Sequence, residues 1–278
     1  DQMWGMGVAL LGGMTMNFPE TPETVKDDFR DIGPSMLITA SRFWEDLASS
    51  IRVKISDSGW LKKKLFEQGE IIGKIIVGKK TKKNKIPLYL SILYKIMNPL
   101  VYRPLLDRIG CARFQSAFTG GHPISPDVIL FFRAIGLNLK QCYGLTEAGG
   151  IFQVQPDNEV KLETVGKPLS LTEVKIAEDQ EVLVRSEANF VGYYNDYQAT
   201  QNAYENGWLK TGDAGYIDAD GHLLIIGRKE DIIRNKSGEA FSPDFIETRL
   251  KFSPYIKEAV IFGENRPFIT AMINIDMG

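Results

Sequence analysis

Three short strings follow one another along this chain with residue types and spacing suited to chemistry: QCYGLTEAGG (141–150), KTGDAGY (210–216) and IIGRKEDIIRNKSGE (225–239). Each couples glycine to charged or hydroxyl residues. Each is expected where an apolar, strand-like stretch stops, so that side chains converge at element ends on a charged, hydroxyl-rich ligand. In the first string, Tyr143 offers a flat apolar face, Thr146 a hydroxyl and Glu147 a hard carboxylate oxygen. Stacking of a base on an aromatic ring contributes about 1–3 kcal/mol in nucleic-acid systems. A carboxylate suits Mg2+, which takes oxygen ligands and is usually held by one or two carboxylates plus phosphates. The competing reading is a buried tyrosine followed by a Thr–Glu helix start.

In the second string, Asp213 follows a glycine turn after NGWL. A carboxylate there can accept both hydroxyls of a ribose, or merely bond the amides of its own turn. In the third, Arg228 can make a forked contact to phosphate or ribose oxygens; as a charged linker it would also serve as a hinge. A fourth string, TGGHPIS (119–125), places two glycines after a strand and before a helix capped by Ser125. Glycines there let a ligand approach the backbone, and the same residues also make an ordinary turn. Neither His122, in this turn, nor His222, in DADGHLL, has the setting of a metal ligand or triad member. No G-x-S-x-G string and no metal-spaced cysteine pair is present.

The elements that must position these residues can be sketched from pattern alone. Residues 1–45 alternate helical and strand-like stretches. The opening run DQMWGMGVALLGGMTM reads as a buried helix followed by a strand over 14–18. Residues 19–33 read as a helix with Thr and Glu near its start and Gly at its end, and 35–39 as a buried strand. Residues 42–110 are helical in pattern, interrupted by the basic run GKKTKKNK (78–85). From Ala112 the βα rhythm returns, with a strand at RFQSAF, a helix at DVILFFRAIG and a strand at NLKQCYG. Residues 160–226 read as short antiparallel strands. After Gly227, FSPDFIETRLKFSP fits a helix capped by Ser242 with Pro243 at its first position, followed by the strands EAVIFG and FITAMINI. The expected fold class is therefore α/β: parallel βαβ sheet layers, a small antiparallel β subdomain, then the start of a small α+β domain. The expected boundaries are 1–229, subdivided into 1–159 with a helical insertion at 42–110 and a β subdomain at 160–229, and then 230–278.

Composition narrows the class. The 278 residues are 44% hydrophobic and 24% charged, with 33 Lys plus Arg against 35 Asp plus Glu. Such a balance argues against a dedicated nucleic-acid binder. The two cysteines, Cys111 and Cys142, give no disulfide framework and read as buried thiols in a reducing compartment. The chain starts at Asp1, carries no basic n-region, and its first apolar run is too short and glycine-broken to span a membrane. It reads as the interior of a longer cytoplasmic protein. The run Lys79, Lys80, Lys82, Lys83 and Lys85, followed by the apolar YLSILYKIMNPLVYRPLL, is either a solvated loop or a peripheral contact with the inner face of an anionic membrane.

TGGHP, YGLTE, TGD and GRKED–GE–SP–IE, in that order, resemble the motif series of the adenylate-forming (acyl-activating) superfamily. Within it the chain looks most like long-chain fatty-acid–CoA ligases, and the likeness runs through all 278 residues. The resemblance implies activation of a fatty acid by ATP to an acyl-adenylate and pyrophosphate, rotation of a C-terminal domain, and transfer to CoA, with Mg2+ as the metal. It implies that Gly120, Gly121, His122 and Pro123, with Tyr143, hold the adenine, and that Gln141 and Gly144 belong to the same nucleotide-binding set. Thr146 would contact phosphate, Glu147 bind Mg2+, Asp213 take the ribose hydroxyls and Arg228 the ribose–phosphate region. Thr146, Glu147 and Arg228 are the expected catalytic set. Charge neutralisation and positioning suit such a reaction better than a protein nucleophile.

Three departures matter. No Ser/Thr/Gly-rich phosphate loop ending in Lys is present, the family's C-terminal Lys has no counterpart, and the hinge position is Glu230 rather than Asp or Lys. The first two imply a fragment that binds nucleotide poorly and catalyses little alone. A non-catalytic adenylate-binding module, or a relative with another acceptor, remains open at this stage.

Overall fold

The computed structural model describes residues 7–21, 23–122, 124–157, 159–251 and 255–275. They fall into two compact units. The first comprises the described residues of Asp1–Gln141 with Asp157–Leu162, the second those of Cys142–Pro156 with Glu163–Gly278.

In the first unit the elements are α1 (Val8–Gly12), α2 (Val25–Ile32), β1 (Met36–Ala40), α3 (Ser41–Ser56), α4 (Trp60–Thr81), α5 (Leu88–Met97), a π turn (Asn98–Tyr102), α6 (Arg103–Arg108), β2 (Ser116–Gly120), α7 (Pro126–Ala134) and β3 (Leu139–Leu145), which runs on into the second unit. β1 pairs with β2 in parallel, Met36 opposite Ser116, and β2 with β3 in parallel, Thr119 opposite Gln141. Parallel neighbours need a crossover, and the helices supply it. α4 buries Phe66, Gly69, Gly73, Ile76 and Val77, a helical three-and-four spacing. Trp44, Tyr102, Phe131 and Phe132 are fully buried, with the Trp44 and Phe132 rings edge-to-face at 5.2 Å. Each ring buried this way contributes about 2–3 kcal/mol of transfer free energy. At the start of α7, the Ser125 hydroxyl accepts the Asp127 amide at 3.3 Å, the cap the sequence predicts.

Three expectations need correcting here. Residues 14–18 form no strand, and α1 exposes Leu10 and Leu11; no strand among the described residues pairs with the run, so its backbone gains no ladder. β1 is not buried but alternates exposed and half-buried residues, because among the described residues it is hydrogen-bonded along one edge only. The predicted helix over 19–33 is confined to Val25–Ile32, with Gly33 closing it at φ +59°.

In the second unit the end of β3 pairs antiparallel with β4 (Gly150–Val154), and β4 with the short β5 (Lys167–Pro168). An antiparallel sheet follows from β6 (Thr172–Ile176), β7 (Glu181–Ser186), β8 (Tyr204–Glu205), β9 (Trp208–Ile217) and β10 (Leu223–Arg228), in the order β10–β9–β7–β6 with β8 beside β9. α8 (Tyr197–Ala203) precedes β8 and is capped by the Asp196 carboxylate. A 3-10 turn (Lys229–Asp231) leads to β11 (Ile233–Arg234), β12 (Ala240–Phe241), α9 (Pro243–Lys251), β13 (Ile256–Phe262) and β14 (Thr270–Ile275). Ser242 accepts the Phe245 amide at 3.2 Å, as its place before Pro243 predicts. Two apolar clusters hold the sheet. One is Ala148, Phe152, Val184 and Leu209; the other is Val165, Val182 and Leu223; Tyr143 packs against both.

Candidate functional site

β3 carries Tyr143 into the second unit, and β4 returns directly after a tight turn over residues 146–149. Thr146 and Glu147 therefore sit in a hairpin turn, not at a helix start. Gly144 makes the hairpin possible: a Cβ there would stand 2.1 Å from the Gly150 carbonyl oxygen, where no side chain fits. The ladder shifts register beside it.

The TGD string is also placed differently from expectation. It lies inside β9 rather than at an element's end. Against β7, the chain advances from Glu181 to Leu183 while β9 moves from Ala214 to Lys210, so Thr211–Asp213 form a bulge. A bulge re-aims a side chain within a sheet. Gly212 takes the φ of +71° this requires, and the Thr211 hydroxyl accepts the Asp213 amide at 3.1 Å.

The re-aimed Asp213 meets two other sequence-predicted residues. Its Oδ2 accepts the Tyr143 hydroxyl at 2.5 Å, and its Oδ1 lies 3.2 Å from the Arg228 guanidinium. Arg228 is its cross-strand partner, reached through an irregularity in β10 at Gly227. The Asp213 side chain is 11% exposed and that of Arg228 58%. The Tyr143 bond is thus the sheltered, charge-assisted contact, whereas the Arg228 pair is screened and contributes under about 1 kcal/mol. Burial raises the Asp213 carboxyl above its ordinary value, although Tyr143 and Arg228 both favour its charged form. Burial, reinforced by the Asp213 charge, pushes the Tyr143 phenol well up. The Tyr143 ring lies edge-on to Phe152 at 5.1 Å. A half-buried aromatic plane beside an acceptor-rich carboxylate and a forked cation can hold a base, a diol and a phosphate.

Glu147 is anchored separately. Its backbone oxygen accepts the Phe190 amide at 2.7 Å, and its Oε1 accepts the Tyr193 hydroxyl at 2.9 Å. Its Oε2 has no hydrogen-bond partner among the described residues. That fits a lone carboxylate contributing one oxygen to Mg2+ while phosphates supply others. No cluster of three or more His, Cys, Asp or Glu side chains able to hold a metal occurs among the described residues. Thr146 stands exposed in the turn.

Gln141 is buried and donates its side-chain amide to the Leu162 carbonyl at 3.0 Å, so it also ties down local backbone. In the first unit, Gly120 ends β2, Gly121 has φ +86° and His122 is exposed; Pro123 lies outside the described residues. Sequence reasoning missed Tyr193. The aromatic pair at 193–194, after FVG, was the available signal. It also missed Glu181, which no motif marks.

The fold is α/β, and comparison with known proteins specifies the class. The chain belongs to the AMP-binding enzyme family, whose description matches residues 1–194, with the AMP-binding enzyme C-terminal domain matching residues 230–276. It is a member of the adenylate-forming superfamily and resembles fatty-acid–CoA ligases. It is 40% identical to the long-chain-fatty-acid–CoA ligase FadD15 of Mycobacterium bovis over 189 residues, 68% of this chain and 31% of that protein. The peroxisomal long chain acyl-CoA synthetase 7 of Arabidopsis thaliana is 28% identical over 98% of this chain and 39% of its own length. Among solved structures, the amide bond synthetase McbA of Marinactinospora thermotolerans aligns with a TM-score of 0.53 at 28% identity, over 66% of this chain and 41% of that one. The o-succinylbenzoate CoA synthetase MenE of Bacillus subtilis, in complex with its acyl-adenylate intermediate, shares the fold with a TM-score of 0.64 at 20% identity, over 97% of this chain and 48% of that one. The chain spans about a third to a half of the length of these proteins.

Proposed function

We propose that this chain supplies the adenosine- and magnesium-binding part of an ATP-dependent fatty-acid–CoA ligase, which joins a long-chain fatty acid to CoA through an acyl-adenylate. The observation that carries the reading is the meeting of Tyr143, Asp213 and Arg228, brought from three strands by a bulge and a cross-strand register. In this reading Tyr143 borders the adenine, with Gln141 and Gly144 shaping its strand, and Gly120, Gly121, His122 and Pro123 are further candidate adenine contacts. Asp213 accepts the ribose hydroxyls and Arg228 steadies the ribose–phosphate link. Thr146 donates to phosphate. Mg2+, when bound, neutralises phosphate charge, and Glu147 would hold it. The large domain ends at residue 229 and the C-terminal domain begins at 230. The names of the mycobacterial and plant relatives support the long-chain acid, while the amide bond synthetase keeps a different acceptor as the second reading.

The test is AMP binding to the 278-residue chain, because AMP lacks the outer phosphates. Binding near ~1 mM, weakened at least about tenfold by Asp213→Ala, is the expected result. Binding unchanged by that substitution would remove Asp213 from the ribose.

A further inference from the structure

A second charged cluster lies in the same unit, directly beside the bulge that carries Asp213. The Glu181 side chain opens β7 and is 6% exposed. Its two oxygens do different work. Oε1 accepts the amide of Gly212 at 2.9 Å, inside the bulge that aims Asp213. Oε2 holds the Lys229 ammonium at 2.7 Å, and Asp179 meets the same ammonium at 2.5 Å. Lys229 opens the 3-10 turn through which the chain enters the C-terminal segment. The Asp179 side chain is half exposed, so the sheltered contact is the one to Glu181.

The bulge explains why Glu181 is needed. Two extra residues on β9 take Gly212 out of the ladder with β7, and its amide must find another acceptor. A buried carboxylate accepts that bond well only while a counter-charge offsets its own desolvation. Lys229 is that counter-charge. One side chain therefore joins the conformation of the Asp213 bulge to the position of Lys229.

We propose that Glu181 is a positioning residue, forming with Lys229 a latch that couples the Asp213 bulge to the segment 229–231. Withdrawal of Lys229 loosens the grip of Glu181 on Gly212, and with it the aim of Asp213. By linkage, a nucleotide held at Asp213 steadies the latch in return. This last step rests on the ribose role proposed above; the coupling between bulge and turn does not.

Amide hydrogen exchange of the 278-residue chain, read by mass spectrometry over 209–217 and 226–233, separates the two. Lys229→Gln removes the charge of a partly exposed partner and keeps a polar side chain in its place. It should speed exchange by roughly tenfold at both segments, with Lys229→Arg restoring protection. Asp179→Asn, which spares the sheltered contact, should change either segment by less than about threefold. Added AMP should slow exchange at 226–233 in the parent chain but not in Lys229→Gln. Faster exchange confined to 226–233 in Lys229→Gln would overturn the latch. AMP that binds without protecting 226–233 would overturn the nucleotide coupling. If AMP fails to bind at all, the nucleotide reading falls, while the Lys229→Gln comparison still decides the latch.

Discussion

Removing the Tyr143 hydroxyl, by Tyr143→Phe, tests the sheltered half of the Asp213 cluster. The ring and its edge-on contact with Phe152 are kept, and the bond to Asp213 is lost. At 2.5 Å that bond lies in the charge-assisted range for hydroxyl to carboxylate. The Asp213 side chain is 11% exposed, so water cannot readily replace the donor. A hydrogen bond to a charged group contributes about 1.5–3 kcal/mol net, and the screened Arg228 pair adds little. Tyr143→Phe should therefore destabilise the chain by about 2 kcal/mol at pH 7. Coupling to Asp213→Asn in a double-mutant cycle should be of similar size. The pH dependence carries a definite sign. Burial raises the Asp213 carboxyl, so the folded chain holds that proton more tightly than the unfolded one. Ionisation costs stability as pH rises from the ordinary carboxylate range, about 3.9, through the raised folded value. Tyr143 favours the charged form, so losing its hydroxyl raises the carboxyl further and carries the loss to higher pH. Urea denaturation of the four proteins between pH 4 and pH 8 measures this. A coupling under about 0.5 kcal/mol at pH 7, or the same coupling at pH 4, would refute the charge-assisted assignment.

Gly144→Ala drives a Cβ into the Gly150 carbonyl oxygen; it should cost about 3 kcal/mol or more and be visible as a lowered Tm, and a neutral result would mean that the β3–β4 hairpin is misdrawn. Cys111 and Cys142 are buried, and burial pushes their thiols up to about 12 and about 11. A thiol reagent at pH 8 should thus label neither in the native chain within minutes and both after denaturation, since the thiolate is the reactive form. The lysine run at 79–85 precedes α5, which exposes Leu88, Tyr89, Ile92 and Ile96. Although no helix among the described residues is long and apolar enough to cross a membrane, peripheral contact predicts sedimentation with anionic vesicles at low salt. Neutralising all five lysines should abolish it, at about 1 kcal/mol each, and equal binding to neutral vesicles would contradict it.

The sequence by itself determined most of the element types, the caps at Ser125 and Ser242, and which residues carry charge and hydroxyls, because periodicity, proline and cap chemistry act over a few residues. It also marked Tyr143, Asp213 and Arg228 as candidate ligand contacts, though they are 70 and 15 positions apart. The structure alone decided how they meet. Two residues inserted into β9 aim Asp213 at Tyr143, and a register shift in β10 sets Arg228 opposite, features that depend on which strand lies alongside and leave no local pattern. The same holds for residues 14–18 and β1, where local hydrophobicity predicted burial. Burial and pairing depend on neighbours, and the described residues supply no partner strand for 14–18 and only one for β1. Glu181 marks the limit most clearly. Nothing around it in sequence distinguishes it from other carboxylates, and its importance comes from the amide and the ammonium that tertiary folding brings to its two oxygens.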